Sequence, residues 1–372
     1  MTPLLRIPGA VLNEDASGIT HFGDPMREQR ALERGLALSP LADRAVIEVA
    51  GEDRLTWLDS ITSQAVARLV PNSSTELLVL DPQGRVEHAA GLFDDGESAW
   101  LIVDAPDAEG LAAWLKRMVF RARATVTMRE DLGLVGFFDG GVAAQVAAIA
   151  ASAPHGVPLI WSDPWRAVQP GGHQYHVGAE HPAAGYAWNI AIVDEAGAHA
   201  LATQHDAWAG LLAAEALRVA AWRPRWSNEV DERSIPHETD WMRSAVHLAK
   251  GCYRGQETVA KVHNLGHPPR RLVALHLDGS DSVFPGPGDL VFDGDREVGQ
   301  LTSAALHYEL GPIALATVSR RTPTGDLRVR SGDREIAASQ EIIVPAEAGA
   351  TADVPRLTRL SRRPEGRDPR HG

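Results

Sequence analysis

A chain of 372 residues with 44% hydrophobic and 23% charged side chains is ordinary for a soluble globular protein and long enough for two or three hydrophobic cores. The net charge of -13 argues against direct nucleic-acid binding, because phosphate contacts need an excess of Lys and Arg. One cysteine rules out a disulfide framework, no run nears the roughly 20 apolar residues that cross a bilayer, and residues 1–25 lack a basic start followed by an apolar stretch. The expectation is a cytoplasmic protein with no membrane partner.

Residues 1–25 show no sustained periodicity and read as an N-terminal extension with one short strand at most. Residues 26–130 read as a first α+β subdomain. A strand is predicted at 44–50 (RAVIEVA), then a helix opened by Asp53 as N-cap with Leu55, Leu58 and Ile61 on one face. Strands follow at 76–80, 85–93 and 99–103, with Asp94-Asp95-Gly96 as a hairpin signal. A helix over 107–118 precedes a half-buried strand at 121–128, where polar and apolar residues alternate.

Residues 131–270 read as a second α+β subdomain that carries a long motif loop. Its predicted elements are an apolar strand from Leu132, an alanine-rich helix over 141–151, strands at 158–161 and 174–177, and one long helix over 198–220 stopped by Pro224. A loop-rich stretch covers 223–261, and loops of that length in a compact protein are usually functional. From Arg271 the pattern changes to short strands at 272–277, 289–292, 297–304, 313–318, 327–329 and 341–344, a small β domain over 271–346. Residues 347–372, rich in Arg, Pro, Gly and Ala, are predicted to be a disordered tail. Strands and helices without strict βαβ alternation place the chain in the α+β class.

Chemistry concentrates in Lys250-Gly251-Cys252-Tyr253-Arg254-Gly255-Gln256-Glu257, which holds the only cysteine. An unpartnered cysteine serves packing, metal ligation or reactivity. Lys250 and Arg254, two residues to either side, would favour the thiolate, and the glycines permit a sharp turn or a close approach. Gln256 and Glu257 add an amide and a carboxylate able to hydrogen-bond a polar heterocycle. Residues 241–275 hold six cations and one anion, a local +5 that leaves -18 for the remainder. Such a patch on an acidic chain suits a specific anionic ligand, although a solvated basic loop has the same composition.

The segment resembles the Lys-Gly-Cys-Tyr-x-Gly-Gln-Glu signature of the YgfZ family, folate-binding relatives of the glycine cleavage T-protein. Leu217-Arg218, Pro224-Arg225 and residues 229–238 (EVDERSIPHE) resemble the stretch that precedes the signature. Gly299-Gln300-Leu301-Thr302-Ser303 resembles a turn of the C-terminal barrel, and Gly51-Glu52-Asp53-Arg54 with Gly84-Arg85 resembles the N-terminal half. The resemblance spans about residues 40–345. It implies a T-protein-like architecture of two α+β subdomains followed by a β-barrel. It also implies a tetrahydrofolate-binding protein that assists assembly or repair of iron-sulfur proteins, with iron-sulfur client or assembly proteins as partners. On this reading Cys252 and Lys250 carry the chemistry, while Trp222, Arg225, Tyr253, Arg254, Gln256 and Glu257 contact the cofactor. Arg225, Arg254, Lys261 and Arg270 would form a cationic rim for the folate glutamate, and Trp222 or Trp226 would stack on the pterin.

The chain departs from the T-protein pattern at two places. Paired aspartates there correspond to His88-Ala89 here, and a Glu-Ala-Gly corresponds to Ala220-Ala221-Trp222. A folate-dependent aminomethyltransferase or demethylase is therefore the alternative function, with His88 as its one available base. Cys252 with His247, His263 and His267 is a further reading as a zinc site, and a folate-responsive regulator without chemistry is another.

Overall fold

The computed structural model describes residues 2–14, 16–280 and 284–352. Two antiparallel sheets pack face to face, each covered on its outer side by two helices, and a closed barrel follows. The first sheet runs in spatial order Ser73–Leu80, Val86–Asp94, Ser98–Asp104, Arg44–Ala50, Thr125–Met128. Its strands are apolar on both faces, and the two-residue period sorts their side chains into two cores. Val49, Leu77, Val79, Leu101 and Val103 pack with Trp57, Leu111 and Leu115 of the helices Arg54–Ile61 and Ala105–Met118. Val46, Leu78, Leu80, Phe93, Trp100 and Ile102 point the other way, into the core shared with the second sheet.

The second sheet runs Ile160–Ser162, Trp188–Val193, Gly133–Phe138, Ser39–Pro40. Leu134, Phe138, Ile190 and Ile192 meet the first sheet, while Val135, Phe137, Ala191 and Val193 pack with Ala143, Ala147, Ala198 and Leu201 of the outer helices. Trp161 fastens the two sheets, its indole N–H donating to Thr75 O at 2.7 Å. Its ring lies flat on Gly91, where a Cβ would come within 2.6 Å of the indole. Ser39–Pro40 precedes the first sheet in sequence but pairs with Gly133–Phe138, so the second sheet is assembled from both sides of the first.

The barrel closes in the order Arg270–Leu277, Gly311–Ser319, Arg296–His307, Leu290–Asp293, Leu327–Ser331, Arg334–Ile342. Val273, Leu275, Val291, Leu301, Ala316, Val318 and Val329 form its core. This is the α+β architecture with a C-terminal barrel that the resemblance implied. No helix among the described residues is long and apolar enough to cross a membrane.

Several elements differ from the sequence reading. The N-terminal stretch holds two paired strands, Val11–Leu12 and Ile19–His21, rather than one at most. The single helix expected over 198–220 is two, Glu195–Gln204 and Leu211–Ala220. The break arises because residues 207–209 leave the helical path to bond Leu38, whose N–H donates to Ala207 O while its carbonyl accepts from Ala209 N. No strand forms at 174–177; Tyr175 N donates instead to the Asp240 carboxylate at 3.0 Å. Asp53 stands at the N-cap, but its carboxylate caps no N–H of its own helix and receives Arg123 N and its guanidinium instead. The loop-rich 223–261 contains the short helix Trp226–Glu229, 3₁₀ turns at Pro236–Thr239 and Trp241–Arg243, and the start of the motif helix Gln256–Leu265. Of the tail expected from 347, residues 350–352 are ordered by N–H bonds to the last carbonyls of the motif helix, while 353–372 lie outside the described residues.

Candidate functional site

The motif forms a short arch between two anchors. At one anchor the Lys250 side chain is only 2% exposed, and its ammonium donates to the carbonyls of Asp59 (2.5 Å), Thr62 (2.8 Å) and Gln64 (2.8 Å). These carbonyls lie at and just beyond the C-terminus of Arg54–Ile61, where backbone acceptors lack helical partners and a cation is favoured. Burial pushes the Lys250 pKa down, opposed by the nearby Asp59 carboxylate. The ammonium also lies 5.3 Å from the centre of the buried Tyr253 ring, whose hydroxyl is pushed well above its ordinary range by burial.

At the other anchor Gly255 turns the chain into the motif helix with φ +83, and a Cβ there would meet Asp81 O at 2.5 Å, so only glycine fits. Arg254 pairs with Glu87 at 2.6 Å. Between the anchors Gly251 and Cys252 are exposed, and the space around the Gly251 Cα is open. Gln256 reaches back to Lys250 O at 3.4 Å, and Glu257 is exposed. The expected role of Lys250 changes here, since three carbonyls take up its N–H donors.

Within the basic stretch, Arg270 and Arg254 are paired with carboxylates. Arg270 bonds Asp231 and Glu238, Arg225 bonds Asp43 and Asp104, and Arg243 and Arg271 are buried. A cationic rim of free guanidinium groups is therefore absent among these residues, leaving Lys261 exposed on the motif helix. The histidines of the zinc reading go to separate partners: His263 to Tyr175 OH at 3.0 Å, His267 to Ala348 O, and His247 to Ala249 N. Trp222 follows the helix Leu211–Ala220 in the left-handed region with φ +57, packed at 5.2 Å against the rings of both His176 and His181. Trp226 donates its indole N–H to Glu87 O at 3.0 Å. His88 points to the helix side of the first sheet, bonded to Asp107 at 2.5 Å, while Ala89 packs toward the core between the sheets.

A cleft of about 320 Å³ opens beside Arg225, walled by Leu41, Tyr186, Trp188 and Leu211, with Asp43 and Arg44 on its polar side. Arg44 and Arg225 also wall a smaller void of about 50 Å³ that reaches Glu76, Trp161 and Trp241 between the sheets. Asp104 binds Arg44 at 2.6 Å, Arg225 at 3.1 Å and Ser227 N at 2.8 Å. Burial alone would raise its pKa, but the two guanidinium charges outweigh that and hold it at about 2. Asp43 gives one carboxylate oxygen to Arg225 at 2.6 Å. Its Oδ1 and the Arg44 Nε are both buried and without a hydrogen-bond partner, the Nε lying 3.9 Å from Asp43 Oδ2. An orphan acceptor and an orphan donor on adjacent residues are costly unless a guest or water supplies the opposite group to each. Cys252 lines neither cavity. Sequence reasoning missed Asp43, Arg44, Tyr186 and Trp188; the one available signal was a charged pair opening an apolar strand.

No family model matches the chain. The tRNA-modifying protein YgfZ of Escherichia coli is 26% identical over 319 residues, spanning 82% of this chain and 93% of that protein. An aminomethyltransferase of Nostoc sp. is 24% identical over 326 residues, spanning 81% of this chain and 80% of its own. The chain is a homologue of YgfZ and of the aminomethyltransferases. The glycine cleavage system aminomethyltransferase T from Bartonella henselae shares the fold, with a TM-score of 0.70 over 91% of this chain and 94% of its own at 18% identity. In this YgfZ homologue the residue facing inward at the paired-aspartate position of the T-protein pattern is Ala89, which has no carboxylate.

Proposed function

We propose that this YgfZ homologue binds a tetrahydrofolate in the cleft beside Asp43, Arg44 and Arg225, and that it assists assembly or repair of iron-sulfur proteins through the thiolate of Cys252. The observation that carries the folate half is the lining of the cleft, which sets Asp43, Arg44 and Arg225 beside aromatic walls. The 2-amino-4-oxo edge of a pterin sets N–H donors beside a carbonyl acceptor, the complement of a carboxylate beside a guanidinium such as Asp43 and Arg44. Tyr186 and Trp188 offer aromatic surface for a flat ring, and about 320 Å³ falls within the range of small-molecule sites. When bound, a folate would supply one-carbon or redox chemistry; the residues named here bind and orient it.

Cys252 stands on an exposed arch outside that cleft, which suits a thiol that meets a protein-borne sulfur or iron. One thiolate cannot hold a cluster alone, since clusters normally take about four ligands, so the chemistry is transient and shared with a partner protein. The Escherichia coli relative is named a tRNA-modifying protein. We place tRNA modification downstream, through an iron-sulfur client and without direct RNA contact by this chain. The aminomethyltransferase alternative expects a carboxylate at the paired-aspartate position, and with Ala89 facing inward and His88 turned to Asp107 that position supplies none.

The test combines calorimetry with complementation of a strain lacking its own YgfZ, reading iron-sulfur enzyme activities. Cys252→Ala is expected to bind tetrahydrofolate as the parent does and to fail in complementation. Full complementation by Cys252→Ala would remove the thiol from the function, and a parent that does not bind tetrahydrofolate would remove the folate.

A further inference from the structure

We infer that Lys250 is a positioning residue: its ammonium, seated in the carbonyl cage at the end of the helix Arg54–Ile61, holds the Cys252 arch against the first subdomain. The inference rests on the reading that Cys252 is the working group, and it assigns Lys250 a role distinct from tuning the thiol by charge.

The chain upstream of the arch is fastened to the same place. Ser63 Oγ donates to Ala245 O at 2.6 Å, His247 N donates to Ser63 O at 3.0 Å, and Gln64 Nε2 donates to Ser244 O at 2.7 Å. Leu248 N then bonds Gly171 O at 2.8 Å. After that the backbone reaches Gly251 and Cys252, neither of which makes a hydrogen bond among the described residues. The Lys250 cage is therefore the last tether before the thiol, and Arg254 with Gly255 is the first after it. Three residues span the interval, the exposed Gly251 and Cys252 and the buried Tyr253.

The cage suits an ammonium in particular. Three carbonyl acceptors around one nitrogen match the three diverging N–H bonds of a lysine, whereas a guanidinium directs its donors in one plane. Asp59 Oδ2 lies further off at 3.6 Å, so the carbonyls provide the close contacts. The buried Tyr253 ring packs on the same cation, which links the residue after the thiol to the tether before it. Loss of the ammonium would strand three carbonyls and leave the arch held from one side.

Hydrogen exchange and thiol labelling test this on the full chain, where Cys252 is the only cysteine and labelling is unambiguous. In Lys250→Met, amides 250–254 are expected to exchange at least about tenfold faster while the barrel strands keep their parental rates, as for loss of one local tether. The pH midpoint of iodoacetamide labelling at Cys252 is expected to match the parent. Unchanged exchange in 250–254 overturns the inference, and so does a labelling midpoint raised by a pH unit, which would return Lys250 to the role of charge donor. In Lys250→Ala, propylammonium is expected to restore slow exchange and tetramethylammonium, which has no N–H, is not; equal effects of the two also overturn it. This rescue remains readable if the Met variant folds poorly. Complementation by Cys252→Ser separates the two layers: success there defeats the reading of Cys252 whatever the exchange shows, while failure there with parental exchange in Lys250→Met defeats the positioning role alone.

Discussion

Lys250 and Arg44 are both cations next to a candidate site, and their surroundings give them different work. Lys250 has its donors filled by backbone carbonyls, whereas Arg44 keeps a buried Nε–H with nothing to bond. That difference sets the first prediction. Asp43→Ala and Arg44→Ala should each weaken tetrahydrofolate binding about ten- to hundredfold, the loss expected for one hydrogen bond to a charged group, read by calorimetry at fixed ionic strength. Affinity equal to the parent in both would place the folate elsewhere. Cys252 and Arg225 were legible in the sequence, one as a lone thiol and the other as a cation in a Pro-Arg pair. Asp43 and Arg44 were not, because an unpartnered atom is a property of what surrounds it. Trp222 carries a second prediction at this scale. A left-handed position after a helix is normally glycine's, so Trp222→Gly relieves roughly 1 kcal/mol of backbone strain. It also empties the ring site between His176 and His181, a loss of about 3–5 kcal/mol. The net expectation is destabilisation, seen as a lower urea midpoint; a midpoint at or above the parent's would show that the strain dominates.

Among the elements, the join between the barrel and the rest depends on Glu229 in the helix Trp226–Glu229. Its carboxylate accepts from Arg218 at 3.1 Å, Thr302 at 3.0 Å and Ser303 at 2.5 Å, tying the helix Leu211–Ala220 and the strand Arg296–His307 to one buried group. Thr302 lies in a register shift of that strand against Gly311–Ser319, which lets adjacent hydroxyls converge on one carboxylate. Glu229→Ala should destabilise the protein by about 3 kcal/mol, as for a broken buried ion pair, and speed amide exchange in Arg296–His307. Parental exchange there would mean that the barrel docks without this contact. Most strands could be read as short apolar runs between turn residues because both faces of each sheet are buried. The split between Glu195–Gln204 and Leu211–Ala220 could not, since it depends on Leu38, about 170 residues earlier, taking the hydrogen bonds of residues 207 and 209.

At the scale of the whole molecule, buried titratable groups set how stability responds to acid. Burial lifts Asp240 to about 7 and lowers His181 and His237 to about 3 each. The folded state therefore holds a proton on Asp240 that the unfolded chain releases near pH 4, so this group's contribution is lost as pH rises from about 4 through about 7. The histidines work the other way: both stay neutral when folded and protonate near 6.5 when unfolded, so their contribution is lost as pH falls from about 6.5 toward 3. Two histidines outweigh one aspartate between pH 6.5 and 4.5. Unfolding free energy should fall by about 2–3 kcal/mol over that interval, measured by urea titration at several pH values, and Asp240→Asn should steepen the fall. Stability that instead rises on acidification would show Asp240 to dominate.

What depends on short-range order was legible along the chain. Short apolar runs, turn residues and an eight-residue motif identified the α+β class, the C-terminal β domain, the resemblance to YgfZ that implied a barrel, and the position of the one thiol. Tertiary structure alone decided which charges remain available. The basic stretch of 241–275 looks unpaired when counted along the chain, yet Asp231 and Glu238 neutralise Arg270 and Glu87 neutralises Arg254, all from outside the stretch. The carbonyls of Asp59, Thr62 and Gln64 enclose a third, Lys250. Pairing is a matter of distance through the folded core, and distance along the chain carries no information about it.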